Sequence, residues 1–82
     1  NNFAIWPNPA NTVLNVNFEP LGSEDVKMTL LNIDGRKVLE KNISPAATLI
    51  SEQLNVSSLN SGLYILSLTQ GNRTENRKVI IN

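Results

Sequence analysis

The sequence contains no cysteine and no histidine. These two absences remove the disulfides on which many small exported domains rely, the thiolate and imidazole ligands of zinc, the thiol nucleophile and the commonest general base. An excess of one charge is missing as well: seven Lys and Arg offset seven Asp and Glu in 82 residues, with no run of like charges. Binders of nucleic acid or anionic membrane need a basic patch, so neither partner is expected. Aromatics make up only 5 % of the chain, which leaves burial to aliphatic side chains. No apolar stretch approaches the ~20 residues of a membrane-spanning helix. The opening "NNFAIW" has no methionine, no basic start and no apolar run of a signal peptide. It reads as a piece of a larger protein, in which any N-terminal export signal would lie upstream. The length suits one small domain, able to bury somewhat more than ~60 % of its unfolded surface in a single core. A module exported without disulfides must be held by that core alone.

What the chain does have is alternation. In "TVLNVNF" Leu14, Val16 and Phe18 share one face and Asn15 and Asn17 the other, the period of a half-buried strand. "VKMTLLNI" places Val26, Met28 and Leu30 together, and then Leu31 and Ile33 make its far end apolar on both sides, as burial on both faces or a bulge requires. "NIDG" carries Asn32 and Gly35 at the first and fourth positions of a type I turn, and "RKVLEKNI" returns as the next strand. "TLISEQL" is ambiguous, because Ala46, Leu49, Ile50 and Leu54 fit a short helical face or an irregular strand, and Pro45 just upstream favours the strand. "LYILSLT" reads as a central strand, Gly71-Asn72 as a two-residue hairpin turn, and "RKVIIN" as an apolar last strand preceded by polar residues. With a short strand through Ala4 to Trp6 this makes about seven antiparallel strands, an all-β, immunoglobulin-like β-sandwich.

Catalytic chemistry is not legible. The seven carboxylates are scattered over turns and polar strand faces; Glu24-Asp25 with Ser23 is the one group that could touch calcium, and such sites need about six or more oxygens. Ser57, Ser58 and Ser61 lie in turn-like sequence without a basic neighbour and fit turn caps better than nucleophiles. Asn42, Asn55 and Asn72 match the N-glycosylation acceptor pattern, which matters only in a eukaryotic source. Trp6 and Tyr64 could stack on a sugar, but packing in the core or at an edge is the better reading. The domain is therefore expected to be no enzyme and to need no metal and no cofactor.

Read in order, "WPNPA" at 6–10, "LLNIDGRKV" at 30–38, "LNVSSLNSGLYILSL" at 54–68 and the closing "RKVIIN" form a series. The series resembles the type A C-terminal sorting domain of the type IX (Por) secretion system of Gram-negative bacteria of the Bacteroidetes lineage. The aromatic-Pro-Asn-Pro opening of that family is matched by Trp6, Pro7, Asn8 and Pro9. Its Asp or Asn, spacer and Gly-Arg are matched by Asn32, Gly35 and Arg36. Its Leu-x-x-Gly-x-Tyr is matched by Leu59, Gly62 and Tyr64, and its final Lys and apolar strand by Lys78, Val79, Ile80 and Ile81. Each motif alone is weak; four in order across the chain are specific. Trp6 stands where Tyr or Phe is usual, Asn32 where Asp is common and Asn60 where Pro often occurs.

The resemblance implies that residues 1–82 are a single C-terminal sorting domain, the last part of a larger secreted precursor. Recognised in the periplasm by type IX translocon components, it crosses the outer membrane with its cargo and is then removed by a sortase-like surface protease, leaving the cargo secreted or on the cell surface. The rival reading is an immunoglobulin- or fibronectin-like accessory module that binds carbohydrate or a protein, or acts as a spacer, since sandwiches host many functions. Physically, Pro7 and Pro9 read as a stiff crossover that protects a sheet edge. Asn8 is expected to bond the local backbone, Gly35 and Gly62 to serve special backbone geometry, and Tyr64 to pack in the core with its hydroxyl at the surface. The last strand with Lys78 is the expected recognition element, read by strand-edge pairing.

Overall fold

The computed structural model describes residues 3–45 and 48–82. Seven strands follow in order: β1 (Phe3–Trp6), β2 (Val13–Phe18), β3 (Val26–Asn32), β4 (Lys37–Ile43), β5 (Ile50–Asn55), β6 (Gly62–Gln70) and β7 (Arg73–Ile81). They build two antiparallel sheets, β1-β2-β5 and β4-β3-β6-β7. The two layers form the immunoglobulin-like sandwich expected from the alternation. Among the described residues no helix is long and apolar enough to cross a membrane.

Period-two burial explains each layer. Leu14, Val16 and Phe18 of β2 point inward, while Asn15 and Asn17 point away. They meet Val26, Met28 and Leu30 of β3, Tyr64, Leu66 and Leu68 of β6, and Val79 and Ile81 of β7 in one continuous core. Leu14, Val16, Leu30, Leu66 and Val79 are completely enclosed, and each such side chain stabilises the fold by roughly 1.5–3 kcal/mol relative to exposure. The ambiguous segment is a strand: Ile50 and Leu54 of β5 are buried four residues apart with exposed Ser51 and Gln53 between, and β5 pairs antiparallel along β2. Ala46, part of that ambiguity, lies outside the described residues. β7 is longer than expected, because the polar residues from Arg73 onward pair with β6 as well.

A sandwich with two open sides must cover its core edges. Between β4 and β5, Lys41 Nζ lies 2.6 Å from Glu52 Oε1 and spans the gap from sheet to sheet. Between β1 and β7, the guanidinium of Arg77 sits 4.4 Å from the centroid of the Phe3 ring, a cation–π contact that shields the ring while keeping the charge partly solvated. The loop between β2 and β3 is tied down by Gln70, whose Oε1 accepts from the Leu21 amide at 2.8 Å and whose Nε2 donates to the Gly22 and Glu24 carbonyls at 3.1 and 2.8 Å.

The two tight hairpins follow from their sequences. At the β3–β4 turn the Gly35 amide donates to the Asn32 carbonyl at 3.0 Å and Gly35 has φ 82°, a type I turn closed by a left-handed residue. The pairing slips where Leu30 faces Leu39 and Leu31 faces Lys37, so the extra residue is Val38 and the bulge lies in β4, opposite the apolar far end of β3, while Ile33 projects into solvent at the turn. At the β6–β7 turn Gly71 takes φ 57° and Asn72 does not follow it to positive φ, as in a type II′ hairpin. A Cβ at Gly71 would also stand 2.5 Å from Glu24 Oε1.

Candidate functional site

β1 ends at Trp6, and the chain then crosses from the three-stranded sheet to the open edge of β7. Both Trp6–Pro7 and Asn8–Pro9 are cis. Here the structure corrects the expectation of a local bond for Asn8. Its side-chain amide reaches 70 residues onward: Nδ2 donates to the Lys78 carbonyl at 3.1 Å, and Oδ1 accepts from the Ile80 amide at 2.9 Å. Ala10 continues the pairing in parallel, its amide donating to the Ile80 carbonyl and its carbonyl accepting from the Asn82 amide, both at 2.8 Å. One primary amide presents the donor and acceptor of a peptide unit, so Asn8 extends the ladder where flanking prolines supply no N–H.

The second motif is built around Asn32. Its Oδ1 accepts from the backbone amides of Asp34 and Arg36 at 2.9 and 3.0 Å, and its own amide donates to the Arg36 carbonyl at 2.9 Å. A short side chain ending in an acceptor is what this turn requires, which is why Asn serves where Asp also would. Arg36 is exposed just beyond Gly35.

The third motif is a corner. Val56, fully enclosed, donates its amide to the Thr12 carbonyl, and the Leu59 amide closes a turn onto the Val56 carbonyl. Leu59 packs half-buried against the core. Two residues into β6, the ring of Tyr64 is buried and its hydroxyl donates to the Asn60 carbonyl at 2.7 Å. The hydroxyl thus meets backbone at the exposed Asn60. This is the tyrosine corner of immunoglobulin-like sandwiches, a brace between the crossing loop and the strand it feeds. Gly62, exposed, opens β6 opposite Ile81.

Strand register brings these pieces together. Asn32 faces Tyr64 across β3 and β6, and Tyr64 faces Val79 across β6 and β7. Asn8 and Ala10 then hold the outer side of β7. Motifs spread from residue 6 to residue 81 thus meet at one end of the four-stranded sheet. Val79 is buried and Lys78 exposed on opposite faces of the same strand. Arg36, Leu59 and Tyr64 also border one shallow depression with Asn32, Lys37 and Asn60.

One further expectation changes, and the less favoured sugar-platform alternative falls away. The outward backbone groups of β7 from Lys78 to Asn82 are engaged by Asn8 and Ala10, so this stretch is closed to strand-edge pairing. Trp6 is 44 % exposed, opposite Asn15 in the three-stranded sheet, while Tyr64 lies in the core on the other sheet, so they form no common platform. Among the described residues no group of three or more His, Cys, Asp or Glu could hold a metal ion. Asp25 accepts from the Ser44 hydroxyl at 3.1 Å, and it is Asn55 that holds both the amide and the hydroxyl of Ser57. Sequence reasoning missed Gln70 and Arg77, whose roles depend on a distant loop and a distant ring.

Comparison with known proteins shows the family. The family model described as "Secretion system C-terminal sorting domain" matches residues 4–82. The chain is also 32 % identical over 79 residues to beta-agarase D of Zobellia galactanivorans, a match that takes in 95 % of this chain and 14 % of the agarase. The chain thus spans about one seventh of that relative's length. It belongs to the family of secretion system C-terminal sorting domains, the non-catalytic signal by which the type IX machinery recognises proteins bound for the cell surface or the medium.

Proposed function

We propose that this domain is a folded label at the end of a larger precursor, with residues 1–82 acting as one unit. Specific translocon components bind it in the periplasm, and a sortase-like surface protease removes it once the cargo is outside. The observation that carries this reading is the meeting of all four motifs at one end of the four-stranded sheet. Separate linear signals would have no reason to converge, whereas a surface read in the folded state does.

The test is a secretion assay in a Bacteroidetes host, with a periplasm-targeted fluorescent reporter fused upstream of Asn1. Reporter in the medium or on the surface, lost in a translocon mutant, is expected; retention in the periplasm beside a folded domain overturns the proposal. Deleting residues 78–82 is expected to abolish export. That deletion also removes buried Val79 and Ile81 and the partners of Asn8, so Lys78→Glu, on the exposed face, separates a lost signal from a lost fold.

A further inference from the structure

The outer face of the four-stranded sheet is polar at one end and apolar at the other. Rows of cross-strand neighbours show the change: Asn42, Lys27, Thr69 and Thr74 form one row, and Glu40, Thr29, Ser67 and Asn76 the next. The third row runs Lys37, Leu31, Ile65, Lys78, and the last adds Leu63 beside Ile80. Leu63 and Ile80 are directly paired and remain 42 and 47 % exposed. Single exposed aliphatics are ordinary, but this exposed pair with the half-buried Leu31 and Ile65 in the adjacent row forms a contiguous patch. Lysines close the third row at both ends, and among the described residues no carboxylate ion-pairs with Lys78. This patch lies at the end where the sorting motifs meet, and its strand is the one held by Asn8.

We infer that this patch is the surface through which the type IX machinery binds the domain, its partner being a protein face apolar in the middle with carboxylates at its rim. The inference rests on the sorting reading above. Strand addition is not available along Lys78–Asn82, since that edge is occupied, so recognition there must go through side chains. The flanking lysines match acidic groups on the partner and disfavour a second copy of the domain: two such faces stacked together would oppose lysine to lysine. Apolar anchors in the centre and charges at the rim are the usual division of labour in an interface, the former setting affinity and the latter steering and register. Lys37 is held at 3.3 Å by Glu40, so Lys78 is the freer of the two charges.

The reporter fusion provides the test, with Leu63→Thr/Ile80→Thr and Lys78→Glu as variants and Thr74→Ser, on the polar end of the same face, as the control. Threonine suits a strand, and folding is verified by thermal unfolding of the isolated variants. Export of both variants is expected to fall about tenfold or more while the control stays at the wild-type level. Wild-type export by both variants overturns the surface. If the double variant fails to fold, Lys78→Glu alone decides, because its side chain is solvated. A wild-type fusion that is not exported defeats the sorting reading instead, a result separate from any difference between variants. Two other outcomes also overturn the inference: a domain dimer in sedimentation that Leu63→Thr/Ile80→Thr dissociates without changing export, or capture of the domain by phosphatidylglycerol vesicles with export insensitive to Lys78→Glu.

Discussion

Asn8 accepts the Ile80 amide at 2.9 Å while donating to the Lys78 carbonyl at 3.1 Å, so a single side chain acts as an extra rung on the edge of the last strand. Replacing it with Ala leaves two strand groups to water. The expected cost is about 1–2 kcal/mol, and amide exchange at Ile80 should accelerate relative to Leu66 at the centre of β6. Asn8→Asp keeps the acceptor and loses the donor, so it should protect Ile80 but lower the melting temperature. Equal exchange at Ile80 in wild type and Asn8→Ala would sink this account.

Tyr64→Phe keeps the buried ring and removes the bond to the Asn60 carbonyl. A loss of about 1–2 kcal/mol is expected in denaturant unfolding, with the midpoint shifted and the slope unchanged. An unchanged midpoint would mean that the corner is held without the hydroxyl.

Gln70→Ala frees the 19–25 loop, which it ties by three hydrogen bonds. Limited proteolysis should then cut first within residues 20–24, and global stability should fall by no more than about 1–2 kcal/mol. Protease resistance equal to wild type would show that the loop is held by other contacts.

Core and edge should respond very differently. Leu66→Ala removes a fully enclosed side chain and is expected to cost about 2–5 kcal/mol, a large part of the stability of so small a domain. The Lys41–Glu52 pair, with side chains 46 and 23 % exposed, should give a coupling of about 1 kcal/mol or less in a double-mutant cycle, shrinking with added salt. A coupling that survives high salt would require a more desolvated bridge than the one seen.

Much of this architecture is legible in residue order. β2 and β6 declare themselves by alternation, and the β3–β4 hairpin by Asn32 and Gly35, because local chemistry fixes those features. β7 was legible only in its second half. Glu75 and Arg77 face the same side as Val79 and Ile81, but they sit toward the rim, where charged side chains remain solvated, so the pattern breaks although the strand continues. β5 was ambiguous because spacing by four fits both periods, and pairing with β2 decided it. Among the candidate residues, the turn around Asn32 and Gly35 could be read locally, whereas Asn8 could not. An asparagine between prolines looks like a local brace until the fold supplies a strand edge beside it.

The clamp at Asn8 also fixes when the domain can be finished. Its partners lie 70 and 72 positions later in the chain, and such distant contacts form late because the intervening loop must first be closed. A nascent or truncated chain that stops short of Lys78 holds the first half of the clasp with nothing to fasten. Sealing this edge therefore requires both ends of the domain at once, residue 8 from its start and residues 78–80 from its last strand.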